Sequence, residues 1–337
     1  MRELTLGAAI REAIAEEMRR DESVFCLGED IGIEGGWGGP YTISKGLAEE
    51  FGHERILDTP ISELGFFGMA VGAAMRGMRP VAELQYGDFI YLMSDQLINN
   101  AAKMCYMSGG RVSIPLVLRA PVGATSRGAQ HSQCIESLCM HTPGIKVVCP
   151  STPNDAKGLM KAAIRDDNPV VFLEHKLLYG KAGTRTEGID IAVGTQIPDE
   201  DYIVPIGKAN IIREGTDLTI VTSMLMLHKS LAVAETLAER GISIEVIDIR
   251  SLLPFDGETI LTSLKKTGQM AIVEEDTRTL GWGAEIAAFC YENAFDSIKK
   301  PIARIAAADA PTPCVAHLES AVIPQIEDIE KGILELL

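Results

Sequence analysis

The sequence lacks the motifs that mark most nucleotide, acyl-transfer and zinc sites. It contains no G-x-x-x-x-G-K-[ST] phosphate loop, no G-x-G-x-x-G dinucleotide fingerprint, no G-x-S-x-G elbow and no H-E-x-x-H pair. The glycine-rich run Gly35–Pro40 does not have the dinucleotide-binding spacing, so the favoured interpretation is a turn-rich loop. P-loop nucleotide hydrolysis and a Rossmann dehydrogenase are therefore both disfavoured.

Basic residues and closely spaced cysteines are also scarce. The chain has 31 Lys and Arg against 47 Asp and Glu, which gives a formal net charge of -16. Nucleic acids and anionic membrane surfaces bind basic patches, so we expect neither as a partner, whereas a basic protein partner is compatible with this charge. The seven cysteines form no C-x-x-C pair and lie mostly in apolar stretches, which favours a reducing compartment and disfavours zinc binding.

Long apolar runs and targeting patterns are missing as well. No apolar run reaches the length of a transmembrane helix, about 18 residues. The first residues, Met1–Leu4, show no signal pattern, and acidic residues appear at once, which disfavours a transit peptide. We therefore expect a cytoplasmic protein that does not span a membrane.

The alternation of short apolar segments with amphipathic segments predicts an α/β protein. At 337 residues the chain is long enough for two domains. The first helix is predicted from a helically spaced apolar stripe after an N-cap at Thr5: Leu6, Ala9, Ile10, Ala13, Ile14 and Met18. Because predicted strands and helices alternate and the strands are apolar, we expect doubly wound, mainly parallel sheets. The polar, aperiodic segment 186–206 is predicted to link a first domain, 1–185, to a second domain, 207–337.

The predicted elements have the following bounds. The predicted strands are Val24–Leu27, Arg55–Asp58, Val81–Tyr86, Leu116–Ala120, Lys146–Cys149, Val170–Glu174, Leu218–Thr222, Ser243–Ile247, Ala271–Glu274 and Ile302–Ala306. The predicted helices after the first are Leu64–Met75, Leu92–Met107, His131–Cys139, Asn154–Arg165, Lys229–Arg240 and Gly283–Asn293.

Four segments together resemble one enzyme family. They are Asp58–Glu63 (DTPISE), Gly72–Met75 (GAAM), Gln130–Gln133 (QHSQ) and Pro143–Val148 (PGIKVV). They are similar to the β subunit of the decarboxylating component of pyruvate and branched-chain 2-oxo acid dehydrogenases, and to that of acetoin dehydrogenase. This resemblance implies a thiamin pyrimidine-binding domain followed by a domain like the C-terminal domain of transketolase.

The resemblance also implies site residues. Glu63 would contact the ring nitrogen of the aminopyrimidine of thiamin diphosphate, and His131 would transfer protons during substrate binding or acyl transfer to a lipoyl group. Glu29, Gln85 and Phe89 would lie beside the cofactor, with the aromatic ring against the pyrimidine. On the residues alone, Glu63 is a first-turn helix carboxylate, His131 is structural, Phe89 is part of the core and Glu29 belongs to a solvated turn.

Metal binding is a further implication of the resemblance. Five positions match residues that bind potassium in some relatives: Leu116, Ala163, Ile164, Asp166 and Asn168. Their alternative interpretation is an ordinary helix end and strand. The chain has no Gly-Asp-Gly motif, which in two-chain relatives lies in the α subunit and binds magnesium and the diphosphate. We therefore expect an enzyme that is active only with an α subunit, in a heterotetramer of two α and two β chains.

The implied reaction is oxidative cleavage of a small 2-oxo acid or acetoin with acyl transfer to a lipoyl acyltransferase core. The segment Glu174–Tyr179 (EHKLLY) looks most like acetoin dehydrogenase, with pyruvate dehydrogenase close behind and a branched-chain enzyme open. A non-catalytic assembly subunit is the alternative from another class, which the presence of both Glu63 and His131 disfavours. A single-chain transketolase or deoxyxylulose-phosphate synthase is disfavoured by the missing Gly-Asp-Gly motif. We expect the acyltransferase core to dock on an acidic C-terminal cluster: Glu319, Glu327, Asp328 and Glu330.

Overall fold

The computed structural model describes residues 1–180 and 193–337, which form two compact units. The first unit contains Met1–Val122 and Leu138–Ile206, and the second contains Gly123–Ser137 and Gly207–Leu337. The predicted first domain, 1–185, had included Gly123–Ser137, whereas in the structure the polar groups of this segment bond to the second unit. Residues 186–192 of the predicted linker lie outside the described residues.

The chain up to residue 206 contributes the following elements. Its strands are β1 (Arg2–Glu3), β2 (Val24–Gly28), β3 (Ile56–Asp58), β4 (Arg79–Glu83), β5 (Val117–Val122), β6 (Lys146–Val148), β7 (Val170–His175) and β8 (Gln196–Ile197). Its helices are α1 (Leu6–Arg20), α2 (Leu47–Phe51), α3 (Glu63–Met75), α4 (Ile90–Ser94), α5 (Met104–Met107), α6 (Glu136–Met140) and α7 (Pro153–Arg165). Short 3-10 turns occupy Gly87–Phe89 and Lys176–Leu178, and a π-helical stretch occupies Asp95–Ala101.

The main sheet of the first unit is parallel. Its strand order is β6-β7-β5-β4-β2-β3, and every residue of β2, β5 and β7 is buried. Continuous burial along a strand is typical of a parallel sheet covered on both faces. The predicted α/β class with parallel sheets is therefore confirmed. The short strands β1 and β8 form a separate antiparallel pair.

Helix α1 begins where the sequence predicts. The side chain of Thr5 accepts a hydrogen bond from Ala8 N at 3.2 Å, which caps the helix. The predicted apolar stripe is buried and packs against α7. Salt bridges between the two helices join Lys157 to Glu12 at 2.5 Å and to Glu16 at 2.8 Å.

The second unit is a smaller α/β layer. Its strands are β9 (Asn210–Arg213), β10 (Leu218–Thr222), β11 (Ile244–Asp248), β12 (Ser251–Leu253), β13 (Met270–Thr277) and β14 (Ala303–Ala307). Its helices are α8 (Met224–Ala238), α9 (Gly257–Thr267), α10 (Trp282–Ala294), α11 (Ala316–Val322) and α12 (Ile326–Leu334), with a 3-10 turn at Phe295–Ser297. The sheet order is β14-β13-β10-β11-β9, and β9 is an antiparallel edge strand.

Three predicted helices differ clearly from the structure, and one of them, Lys229–Arg240, begins at Met224 as α8. The predicted helix His131–Cys139 is wrong, because helix α6 starts at Glu136 and the residues before it form turns and irregular backbone. In that stretch the carbonyl of Gln133 accepts a hydrogen bond from Gly123 N at 3.2 Å, so it serves a loop instead of a helix. The predicted helix Leu92–Met107 is interrupted by the π-helical stretch Asp95–Ala101. Within residues 1–180 and 193–337, no helix is both long and apolar enough to span a bilayer.

Candidate functional site

The carboxyl ends of three neighbouring parallel strands form one edge of the first unit's sheet. Strand β2 lies between β3 and β4, and its last residue, Gly28, pairs with Asp58 and with Glu83. A Cβ on Gly28 would lie 2.8 Å from the carbonyl oxygen of Glu83, so a glycine permits this close approach. The residues that leave these strands therefore reach the same edge, which is where open α/β sheets bind ligands.

Two carboxyl groups meet at this edge. Glu29 directly follows β2, and Glu63 is the first residue of α3, with a 6% exposed side chain. Burial raises the pKa of Glu29 to about 7, together with the negative charges of Glu63, Asp30 and Asp58. A carboxyl group with this pKa exchanges a proton near neutral pH. The interpretation of Glu29 as a solvated turn residue is therefore disfavoured.

Gln85 is fixed by a buried ionic network. Its Nε2 donates to Oε1 of Glu83, and Nη1 of Arg119 donates to Oε2 of the same carboxylate. Arg119 also donates from Nε and Nη2 to Glu174 at 2.7 and 2.8 Å, and the hydroxyl of Tyr179 donates to Glu174 at 2.6 Å. Nε2 of Gln85 is thus engaged inside the protein, whereas its buried amide oxygen accepts no hydrogen bond from the described residues.

The network contains two acids and one guanidinium, all buried. Burial raises the pKa of Glu83, and the positive charge of Arg119 acts in the opposite direction. We did not identify Arg119 or Glu174 as site residues from the sequence. The available signal was a charged residue inside each of two apolar strands, β5 and β7, which usually marks a buried ion pair.

Phe89 lies close to the same sheet end. It ends the 3-10 turn Gly87–Phe89, and its amide donates to the carbonyl of Tyr86 at 2.9 Å. Its side chain is half-buried, so it is not an ordinary core aromatic. The neighbouring ring of Tyr86 packs edge-on against Tyr41 with ring centroids 5.7 Å apart. The position is suited to stacking against a flat ligand ring.

Three buried polar atoms at this edge have no internal partner. Among the residues that the structure describes, Oε1 of Glu29, Oγ1 of Thr59 and Oε1 of Gln85 make no hydrogen bond. Buried polar atoms are nearly always paired with protein, ordered water or a ligand, so these three atoms are candidate contacts for a ligand. Thr59 was missed as a site residue although it stands inside the Asp58–Glu63 motif.

His131 belongs to the second unit. It lies in a turn where its amide donates to the carbonyl of Gly128 at 3.1 Å, and its side chain is half-buried. The structure thus brings Glu29, Glu63 and Gln85 to one sheet edge of the first unit, whereas His131 lies in the segment Gly123–Ser137 of the second unit.

Of the five predicted potassium positions, Ala163 and Ile164 lie in the last turn of α7, Asp166 is its C-cap, Asn168 lies in the loop that follows, and Leu116 directly precedes β5. Nη1 of Arg79 donates to the carbonyl oxygens of Ile164 and Asp166 at 2.9 and 3.0 Å. The carbonyl oxygen of Leu116 accepts from Val170 N at 2.8 Å. A guanidinium thus already supplies positive charge to two of the positions, and potassium binding stays a prediction. In the described part of the chain, no group of three or more His, Cys, Asp and Glu side chains could hold a metal ion.

Two family models match the chain and together cover nearly all of it. The model for the transketolase pyrimidine binding domain matches residues 2–181, and the model for the transketolase C-terminal domain matches residues 207–329. The structure of a split-gene transketolase, an inactive β4 tetramer, superposes with a TM-score of 0.79 at 20% identity, over 100% of this chain and 99% of the other. At that identity the likeness shows the fold alone.

Sequence relatives give a narrower family. Subunit beta-2 of the mitochondrial pyruvate dehydrogenase E1 component of Oryza sativa subsp. japonica is 46% identical, over 98% of this chain and 85% of the relative. The beta subunit of acetoin:2,6-dichlorophenolindophenol oxidoreductase of Cupriavidus necator is 44% identical, over 97% of this chain and 96% of the relative. The chain therefore belongs to the family formed by the β subunits of the pyruvate dehydrogenase E1 component and of acetoin dehydrogenases.

Proposed function

We propose that this chain is the β subunit of a thiamin-diphosphate-dependent acetoin or pyruvate dehydrogenase, which cleaves its substrate and transfers the acyl group to lipoyl groups. The observation that carries the proposal is the sheet edge where Glu29, Glu63 and Gln85 meet. Family membership supports it, because the relatives are E1 and acetoin dehydrogenase β subunits by name.

The residues at the edge fit the pyrimidine part of thiamin diphosphate. The buried oxygens of Glu29, Thr59 and Gln85 lack donors among the described residues, and an aminopyrimidine carries N–H groups that can supply them. Phe89 offers a flat aromatic surface. Bound thiamin diphosphate supplies an electron sink for cleaving the bond next to a carbonyl carbon.

The side chains of this chain have distinct roles in the proposal. Glu63 holds a proton against a ring nitrogen of the pyrimidine, and Glu29, whose pKa is about 7, exchanges a proton nearby. Gln85 orients the ring through its amide oxygen while Glu83 holds its amide nitrogen. His131 moves a proton during substrate binding or acyl transfer.

The active site needs an α subunit in this proposal. In the proposal the α subunit binds magnesium and the diphosphate, because this chain lacks the Gly-Asp-Gly motif that binds them. The proposed assembly is a heterotetramer, with potassium as a second metal. We also propose a cytoplasmic location, which rests on the cysteine pattern, although the rice relative is mitochondrial by name. Fractionation of the host cell tests the location.

The isolated chain should bind thiamin diphosphate weakly and turn over neither pyruvate nor acetoin. The physical reason is that the pyrimidine edge alone lacks the ligands for the charged diphosphate. Titration calorimetry with magnesium present, with and without the α subunit, measures this difference. Tight magnesium-dependent binding by the isolated chain would overturn the two-chain proposal.

The identity of the substrate is determined with the complex reconstituted from the α and β subunits. Relatives of both kinds are equally similar to this chain within a few per cent of identity. Rates with acetoin, pyruvate and branched-chain 2-oxo acids are compared under identical conditions. Inactivity with all three, in a complex that binds the cofactor, would favour the alternative of a non-catalytic assembly subunit.

The proposed docking surface for the lipoyl acyltransferase core is narrower than the sequence suggested. Glu327 and Asp328 are exposed at the start of α12, where Asp328 also accepts a hydrogen bond from Gln325 N at 2.9 Å. Glu330 pairs with Arg240 at 3.1 Å. Glu319 accepts hydrogen bonds from Ser126, so we leave it out of the proposed docking surface.

Changing Glu327, Asp328 and Glu330 to their amides should weaken docking several-fold at low salt. Exposed charges contribute about 0.2–1 kcal/mol each, and salt screens them beyond about 8 Å at physiological ionic strength. Surface plasmon resonance against the core at several salt concentrations measures the effect.

The matched control neutralises three exposed acids of the first unit, Glu22, Glu49 and Glu54, and should leave docking unchanged. Equal affinity and equal salt dependence for both triple variants would rule out α12 as the docking surface.

A further inference from the structure

The segment that carries His131 is held by carboxylates at both of its ends. Oε1 of Glu275 accepts a hydrogen bond from Ala124 N at 2.7 Å. Oδ2 of Asp276 accepts from Ser137, at 2.6 Å from the hydroxyl and at 3.3 Å from the amide. Both acids are 7% exposed and lie near the carboxyl end of β13. Two consecutive residues of one strand thus bracket the segment.

Neighbouring residues of a regular strand point to opposite faces. The pairing of β13 with β14 shifts register between Val273 and Thr277, the stretch that contains both carboxylates. Such irregularities change the direction of side chains and are frequent beside functional sites. The local backbone thus allows both Glu275 and Asp276 to reach the same segment.

A third carboxylate holds a strained point near the start of the segment. Ser126 has a φ of 55°, in the left-handed region that residues other than glycine rarely adopt. Both of its donors bond to Glu319 of α11, the amide at 2.6 Å and the hydroxyl at 3.1 Å. Backbone strain of this kind persists only where surrounding contacts maintain it.

Part of the segment is buried, because Ser132 and Ile135 are each 2% exposed. Ala129, Ser132, Gln133 and Cys134 line a cavity of about 430 Å³, with Glu275 on its wall. The hydrogen bonds at Ala124, Ser126 and Ser137 act together with this burial to fix the position of the segment.

We propose that Glu275, Asp276 and Glu319 are positioning residues, which hold the segment Gly123–Ser137 so that His131 keeps one productive orientation. The inference rests on the proposed role of His131 in acyl transfer. The three carboxylates do not touch substrate and act through the backbone and hydroxyl groups of the segment. A displacement of a catalytic group by 1 Å costs about 10²-fold in rate, so loosening the segment has a large effect on this one step.

The test uses the reconstituted enzyme and two assays, one with the lipoyl domain and one with an artificial electron acceptor. Asp276→Ala, Glu275→Ala and Glu319→Ala should each lower the lipoyl-dependent rate, by about 10- to 100-fold for the buried pair. Cofactor affinity should not change. The conservative variants Asp276→Asn and Glu275→Gln keep an acceptor oxygen and should restore most of the rate. Glu285→Ala, an exposed acid on α10, is the control.

A double-mutant cycle separates positioning from a general structural role. In a His131→Ala background, Asp276→Ala should add no further loss, because the group that it positions is already missing. Additive losses would overturn the proposal. If the His131→Ala variant keeps normal lipoyl-dependent activity, the proposed role of His131 is wrong and this inference is overturned with it. If His131→Ala is impaired while all three carboxylate variants are normal, only the inference is overturned.

Hydrogen exchange gives a readout that does not depend on activity. Amides in Gly123–Ser137 should exchange faster in Glu319→Ala, whose changed side chain lies on a mostly exposed helix with no buried residue and does not disturb the core. If Asp276→Ala fails to fold, this variant carries the test. Unchanged exchange in Glu319→Ala would contradict the proposed role of that residue.

Discussion

Replacing Glu63 with glutamine should lower turnover of the reconstituted enzyme by about 10²–10⁴-fold while the fold remains intact. An amide has the shape of the carboxyl group but cannot hold and release the proton that the proposed mechanism needs at the pyrimidine. Steady-state turnover with the α subunit present measures the loss, and circular dichroism checks the fold.

The best control for this prediction is Glu49→Gln. Both residues lie in the first turn of a helix, where a negative charge stabilises the helix dipole by about 0.3–1 kcal/mol. If Glu63 had only that role, the two variants would behave alike. Near-normal turnover of Glu63→Gln would therefore contradict the catalytic assignment.

The same variant offers a second readout in the isolated chain. The charge of Glu63 is one of the causes that raise the pKa of Glu29 to about 7. Removing this charge should lower the pKa of Glu29, which carboxyl-labelled nuclear magnetic resonance can follow. An unchanged titration of Glu29 would show that the two carboxyl groups are farther apart than the structure places them.

Replacing Arg119 with methionine should destabilise the first unit by about 3–5 kcal/mol. The guanidinium is 2% exposed and pairs with Glu83 and Glu174, whose side chains are 4% and 0% exposed. Without it, two acids remain buried with no cation between them. Denaturant unfolding of the isolated chain, followed by a probe in the first unit, measures the loss.

The matched comparison is Arg19→Met, which removes an exposed pair with Glu50 and should cost no more than about 1 kcal/mol. The pH dependence has a defined sign. Burial already raises the pKa of Glu83, and loss of Arg119 removes the charge that opposes this shift. Protonation then relieves the buried charge, so the destabilisation should shrink as the pH falls. Equal losses for both variants would contradict the structure of the network.

Local sequence patterns were sufficient to predict those elements whose structure depends only on their own residues. The cap at Thr5 and the apolar stripe of α1 depend only on spacing along one helix, and both are confirmed. The four motifs likewise identified the family from residues that are close in sequence. Glu63 follows β3 and opens α3, as its place between a predicted strand and a predicted apolar helix indicates.

Features that depend on distant pairing were missed. Arg119 finds its partners 36 and 55 residues away, on the neighbouring strands β4 and β7. The alignment of β5 with β4 and β7 that brings these residues together cannot be read from a local sequence pattern. The edge strand β9 was also missed, because a strand of four residues gains its structure from the sheet that it joins. Helix α9 was missed although Asp256 at its N-cap and Gly268 at its C-cap are local signals.

The error at His131–Cys139 has a related cause. Its spacing suggests a helix, but the carbonyl of Gln133 accepts a hydrogen bond from Gly123 N, and the helix begins only at Glu136. A contact with a residue outside the predicted helix thus overrides local preference here.

The division of the chain into units also constrains how such a protein can be dissected or recombined. The chain passes from the first unit to the second at residue 123, returns at residue 138 and leaves again at residue 207. A fragment that starts at residue 207 contains the acids Glu275, Asp276 and Glu319 but lacks the segment Gly123–Ser137, to which they are hydrogen-bonded. The C-terminal part is therefore not a portable module. A domain exchange that cuts only near residue 206 combines the second unit of one protein with the segment Gly123–Ser137 of another. We expect such an exchange to succeed only where the acids and the segment still form these hydrogen bonds.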